Sequence, residues 1–154
     1  MKIYSFALIV LFLSCNDQAP LTNENAAQET TITKRYIDPH NGYSEAVSVE
    51  ANGVKTIYFS GQVGVGETFE AQFRDAVQKL LQMLEKSGAT FDDVVKYNTY
   101  IVDYSSDMLP AFRAVRKELL GDIDMPASTL VGVEALGLES WGVEIEAIAV
   151  IKAN

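Results

Sequence analysis

From Thr31 to the C-terminus the apolar residues change period repeatedly, from two to 3.6 and back, which predicts a mixed domain of strands and helices. Residues 32–37 and 45–49 read as short strands. Residues 54–60 (VKTIYFS) read as a stronger one after the Asn52-Gly53 turn, so the second and third strands are expected to form a hairpin. Gly61, Gly64 and Gly66 are expected to end it. Between residues 68 and 87, Phe69, Phe73, Val77, Leu80 and Leu84 fall at helical spacing, and Gly88 suits the left-handed position just past the helix. Residues 93–102, rich in Val, Tyr, Thr and Ile, read as the next strand. Tyr104-Ser105-Ser106 then supplies turn and capping residues for a second helix, whose stripe is Met108, Phe112, Val115 and Leu119. Pro110 is tolerated in its first turn and Gly121 ends it. Residues 127–133 and 142–152 complete the set as strands. This order predicts an α+β fold with both helices on one face of the sheet. No helix remains to cover the other face, which predicts oligomerisation through it.

Ahead of this domain the pattern differs. Met1-Lys2 gives a short positive start, and residues 3–13 are an almost wholly apolar run of signal-peptide length, too short to span a bilayer. The run closes on Leu13-Ser14-Cys15, similar to the lipobox of bacterial lipoproteins, with Phe12 where that box usually has Leu. Residues 1–14 are therefore expected to be a lipoprotein signal peptide and Cys15 the lipid-attachment site. Residues 15–31, mostly small and polar, read as a flexible tether leading to a folded domain over 32–154. The expected location is the bacterial cell envelope, with the membrane engaged through the lipid anchor only.

Composition narrows the chemistry. A net charge of -9 without a basic stripe argues against a nucleic-acid partner. One His and one Cys are too few for a zinc or transition-metal site, and a single thiol makes no internal disulfide. The run Gly61 to Gly66 follows a strand and precedes a helix, but it lacks G-x-G-x-x-G spacing and has no Lys-Ser/Thr pair. No serine sits in a nucleophile elbow, and His40 reads as a solvated loop residue. No metal is expected.

Three segments carry a family resemblance: Ser60-Gly61-Gln62-Val63; Val95-Lys96 with Tyr100-Ile101-Val102-Asp103; and Pro126-Ala127 followed by the run from Val143 to Val150, with Glu144 and Glu146. In order and spacing they resemble the Rid (YjgF) family, over about residues 32–154. That resemblance implies a chorismate-mutase-like fold with a six-stranded mixed sheet, a homotrimer, and a small-ligand cleft between neighbouring subunits. It also implies hydrolysis of reactive imines or their enamine tautomers to carbonyl compounds and ammonia, without metal or organic cofactor. In the family an arginine fork grips the substrate carboxylate and a glutamate positions water.

This chain departs from that pattern at a decisive place. Where the family reads Pro-Ala-Arg-Ser, it reads Pro126-Ala127-Ser128-Thr129, so Ser128 stands in for the arginine. Leu130 replaces a small or thiol residue, and the asparagine expected early in the second helix falls near Ala111. The resemblance carries Glu144 over as the catalytic residue, Gly61 as the glycine that admits a ligand, and Tyr43 as a cleft tyrosine. Ser128 and Thr129 complete the expected ligand-binding set. Loss of the arginine removes contacts worth roughly 1.5–3 kcal/mol per charged hydrogen bond, so the usual imino acids are expected to react weakly. A neutral, hydroxyl-bearing or cationic nitrogenous metabolite suits the site better. The alternative is a non-enzymatic binding or interaction protein on the same trimer. Glu144 and Glu146 read either as an acid/base pair or as one cleft residue and one structural carboxylate. Trp141 and Tyr100 are candidate cleft walls.

Overall fold

The computed structural model describes residues 31–153; the expected signal segment, Cys15 and nearly all of the tether lie outside the described residues. Six strands form one sheet: β1 (Thr33–His40), β2 (Tyr43–Ala51), β3 (Val54–Val63), β4 (Val94–Val102), β5 (Ala127–Val133) and β6 (Val143–Lys152). Two helices, α1 (Phe69–Lys86) and α2 (Leu109–Leu120), complete it. The strand order is β1-β2-β3-β6-β4-β5, antiparallel throughout except for the parallel β4-β5 pair that flanks α2. The expected six-stranded mixed sheet is therefore present. Among the described residues no helix is long and apolar enough to cross a membrane.

The core follows from the two periodicities. On α1, Phe73, Ala76, Val77, Leu80 and Leu84 are buried, and alternate strand residues meet them: Ile57 and Phe59 of β3, Ile145, Ala147 and Ala149 of β6, and Tyr97 of β4. Phe112 and Val115 bring α2 onto the same side, with the rings of Phe73 and Phe112 stacked at 4.6 Å. Thr68 caps α1 by accepting from the Ala71 amide, and Gly88 takes the left-handed conformation, as its place past the helix end requires. Removing the intervening residues from water leaves the opposite sheet face to Glu144, Glu146, Ile148 and Val150 of β6, Tyr58 of β3, and Asn98 and Tyr100 of β4. Tyr58 stays 49% exposed there, a large aromatic on a face with no helix over it among the described residues.

Several boundaries differ from the sequence expectation. The strand expected to stop at residue 60 runs on to Val63, because Ser60 and Gly61 form a bulge rather than a break: the register to β6 shifts between Phe59 and Gln62. The first strand runs on to His40 and turns at Asn41-Gly42 into β2, making a second hairpin. His40 is thus the last residue of a strand, not a loop residue. The second helix begins later than its capping run suggests, because Ser106–Met108 form a short 3-10 turn ahead of it.

Candidate functional site

The bulge in β3 is where the site begins. An extra residue kinks the strand and re-aims its neighbours, and here it opens a cleft of about 750 Å³ between β3, β2 and the exposed side of α1. That volume lies within the usual range for small-molecule sites. Tyr43 and Glu45 of β2, residues 60–63 of β3, Lys79, Gln82 and Met83 of α1, and Trp141 and Glu144 enclose it, with Asp38 at the rim.

Glu144 is the chemical centre of this cleft. It faces Val63 across the β3-β6 ladder, and its carboxylate lies against Gly61 so closely that a Cβ on Gly61 would overlap Oε1. Glycine at 61 is therefore a requirement of space, since its φ is not in the left-handed region. No hydrogen bond or ion pair holds the Glu144 carboxylate among the described residues. Burial raises its pKa above the ordinary carboxylate value, and the nearby negative charge of Glu146 raises it further.

The second glutamate has a different role. Glu146 Oε1 accepts from Asn98 Nδ2 at 2.7 Å and from the Tyr100 hydroxyl at 2.8 Å, which fixes it on the open sheet face outside the cleft. Glu144 thus lines the cleft and Glu146 does not, and the bonds of Glu146 run to side chains. Tyr100 is occupied in the same way and does not line the cleft, whereas Trp141 does. Glu146 still acts on Glu144 through space. In a Glu146→Gln variant the midpoint of the Glu144 carboxyl, followed by 13C NMR titration, is expected to fall to lower pH while remaining above the ordinary value; an unmoved midpoint would exclude the coupling.

At the mouth, Tyr43 is held by a small network. The His40 ring nitrogen Nε2 lies 2.9 Å from the Tyr43 hydroxyl and 3.2 Å from Glu45 Oε1, while Nδ1 lies 2.9 Å from the Asp38 carbonyl. Gln62 Nε2 donates to Glu45 Oε2 at 3.0 Å. The neighbouring carboxylate and partial desolvation raise the Tyr43 pKa, desolvation being the larger cause. On the helix side, Lys79 donates to the Val63 carbonyl at 2.8 Å and pairs with Asp75, also at 2.8 Å.

The structure thus brings together Glu144, Gly61 and Tyr43, and leaves Ser128 and Thr129 elsewhere. In the ladders Tyr100 lies opposite Glu144, while Tyr97 and Asn98 lie beside Ser128 and Thr129. Two strand spacings, about 10 Å, separate β5 from β6. Ser128 also shares its sheet face with buried Tyr97, opposite to that of Glu144, and the Thr129 hydroxyl is taken by Lys96 Nζ at 2.5 Å. Within one protomer neither residue reaches a ligand at Glu144. Sequence reasoning did not single out Glu45, Gln62, Lys79, Gln82 or Met83 for the cleft. Lys79, Gln82 and Met83 lie outside the apolar stripe that marks α1, so nothing in the spacing sets them apart as a wall, although Met83 also packs against the core.

The family model described as Endoribonuclease L-PSP matches residues 33–151. The chain belongs to this family, the Rid/YjgF family. Among curated relatives it is 36% identical over 122 residues to a 2-iminobutanoate/2-iminopropanoate deaminase of Dermatophagoides farinae, a match covering 74% of this chain and 89% of that one. It is 32% identical to the mitochondrial protein mmf1 of Schizosaccharomyces pombe, over 77% of this chain and 72% of that one. Among solved structures, the Rid-family protein YyfB of Yersinia pestis superposes with a TM-score of 0.61 at 32% identity, covering 77% of this chain and 98% of the other. A YjgF-family protein of Neisseria meningitidis superposes with a TM-score of 0.67 at 28% identity, covering 79% and 98%. Rid-family members are typically homotrimers.

Proposed function

We propose that this Rid-family chain is a homotrimeric hydrolase of reactive imines or enamines, and that its substrate lies outside the arginine-dependent imino acids. The observation that carries this reading is Glu144: a half-buried carboxylate, unbonded, with raised pKa, seated on Gly61 in an open cleft. Such a group can take a proton at one step and return it at the next. In the hydrolysis, water attacks the iminium carbon as the C=N electron pair moves to nitrogen, and Glu144 takes the proton that water loses. The protonated Glu144 then gives that proton to the amine nitrogen. Ammonia leaves as the hydroxyl closes to C=O, its proton passing to solvent, so one water is consumed and one carbonyl and one ammonium ion are formed.

The position of Ser128 supports a cleft shared between subunits. Ser128 is exposed on the edge strand β5, on the helix-bearing sheet face and away from its own Glu144, which suits a residue offered at the sheet edge to the neighbouring protomer's cleft. The bare sheet face, with Tyr58 at its middle, supports packing between copies. An endoribonuclease reading, which the name of the family model invites, finds no support among the described residues of one protomer's cleft, where the one cation, Lys79, is already engaged. The chain is further proposed to be held at the bacterial envelope by lipid on Cys15, on the strength of the apolar run and the Leu13-Ser14-Cys15 sequence.

The test is ammonia release from imines generated in situ, by a flavin amino acid oxidase for 2-iminobutanoate and by a flavin amine oxidase for carboxylate-free aldimines. Release above the spontaneous rate for at least one of them is expected. Buffer-level rates across both sets would remove the hydrolase reading and leave a binding protein.

A further inference from the structure

Every ionisable group lining the cleft can be paired off except one. Asp38 is ion-paired with Lys86. Glu45 accepts from Gln62 and lies beside the Tyr43 hydroxyl and the His40 ring. Lys79 is shared between Asp75 and the Val63 carbonyl. Glu144 has no such partner among the described residues, and position 128, where the family arginine would stand, is a serine. Within one protomer the cleft therefore holds no uncommitted cation among the described residues; besides Glu45, whose donor Gln62 is uncharged, its carboxylate without any partner is Glu144. An anionic ligand would meet that carboxylate with nothing to offset the repulsion, in surroundings where partial burial strengthens charge interactions. A monocation would supply the missing charge.

We infer that the cleft selects a small monocationic nitrogen compound without a carboxylate, an iminium ion of a simple primary amine, whose positive nitrogen pairs with Glu144. This rests on the hydrolase reading for its chemistry, but the charge preference stands on the cleft itself. The lining also sets the character of the rest of the molecule. Val63, Met83 and Trp141 offer apolar contact to an alkyl or aryl group, with the Gln82 amide near them. The cation thus sits at Glu144, at the bulge, and the apolar group extends toward Trp141 and α1.

Two stable compounds with one skeleton and opposite charge test the inference without any catalysis: isobutylammonium and isobutyrate. Binding to the full chain, purified in a non-ionic detergent, would be measured by calorimetry. Isobutylammonium is expected to bind at least tenfold more tightly than isobutyrate, and the preference is expected to vanish in Glu144→Gln. Isobutyrate binding as well as or better than isobutylammonium, or no binding of either at millimolar concentration, would overturn it. A second arm follows ammonia release from the isobutylamine-derived aldimine and from 2-iminobutanoate. Faster release from the aldimine supports the class, and a Ser128→Arg variant is expected to shift the ratio toward 2-iminobutanoate. Faster release from 2-iminobutanoate in the parent chain would overturn the substrate class while leaving the hydrolase intact. Ammonium-selective binding without any hydrolysis would instead remove the hydrolase reading alone, keeping the selectivity.

Discussion

Glu144→Gln is expected to lower the rate of imine hydrolysis by about 10²- to 10⁴-fold, the usual worth of a positioned general acid/base. Glutamine keeps the shape of the side chain and its seat against Gly61, so the fold and the oligomer should survive. What it loses is the ability to hold a proton between water and the departing nitrogen. The pH dependence should vanish with it. In the parent chain the acidic limb of the rate profile is expected above the ordinary carboxylate range, because burial first and Glu146 second favour the neutral form of Glu144. The carboxylate is the active form for the attack of water, so the rate rises as pH passes upward through that raised pKa. A variant that retained both the rate and the limb would place the chemistry on another group.

Gly61→Ala is expected to cost about 10²-fold in rate, the scale of a misplaced catalytic group, with melting behaviour close to that of the parent. The added methyl would fall where the Glu144 carboxylate now lies, and the atoms it meets are the far end of a flexible side chain. Glu144 can swing away, so the fold yields little, but the catalytic oxygen moves. Gly64 provides the contrast. A Cβ there would strike the backbone carbonyl of Gln72, which α1 holds in place, so the same substitution three residues on would disturb the packing of α1 against the sheet. A large loss of stability in Gly61→Ala, measured by thermal unfolding, would contradict its assignment as a residue that makes room for Glu144.

The helices and the inner strands could be read from the chain because each has one buried face and therefore a clear period, which the edge strands β1 and β5 lack. Phe73, Val77, Leu80 and Leu84 mark α1 by spacing alone, and the alternation from Val143 to Val150 marks β6 together with the two glutamates on its open face. The bulge was different. Gly61 carries the same local signal whether it ends a strand or kinks one, and only the β6 partner, Ile145 taking up Gln62, settles which. The cleft lies at that kink, so Lys79 and Gln82 could not be separated from an ordinary solvated side of α1, nor Met83 from a residue packed on the core. The network of His40, Tyr43 and Glu45 depends on a second hairpin, turning at Asn41-Gly42, that forms only because the first strand runs on to His40. Ser128 and Thr129 were placed with Glu144 by family resemblance, which does not say whether site residues come from one subunit or two; one protomer separates them.

That separation is the point on which the account turns, and subunit mixing tests it most directly. Glu144→Gln and Ser128→Trp are each expected to be inactive as homotrimers, the first lacking the carboxylate and the second with an indole filling the neighbour's side of the cleft. Trimers assembled from equal amounts of both would be assayed for ammonia release from the isobutylamine-derived aldimine and from 2-iminobutanoate. Random assembly of a symmetric oligomer should recover about one quarter of the parent rate, since a cleft that takes Glu144 from one subunit and Ser128 from the next is intact in that share of cases. A mixture no faster than its two components, beside an active parent, would show that both residues serve the same protomer's cleft or that Ser128 serves none, and the shared-cleft account would fall.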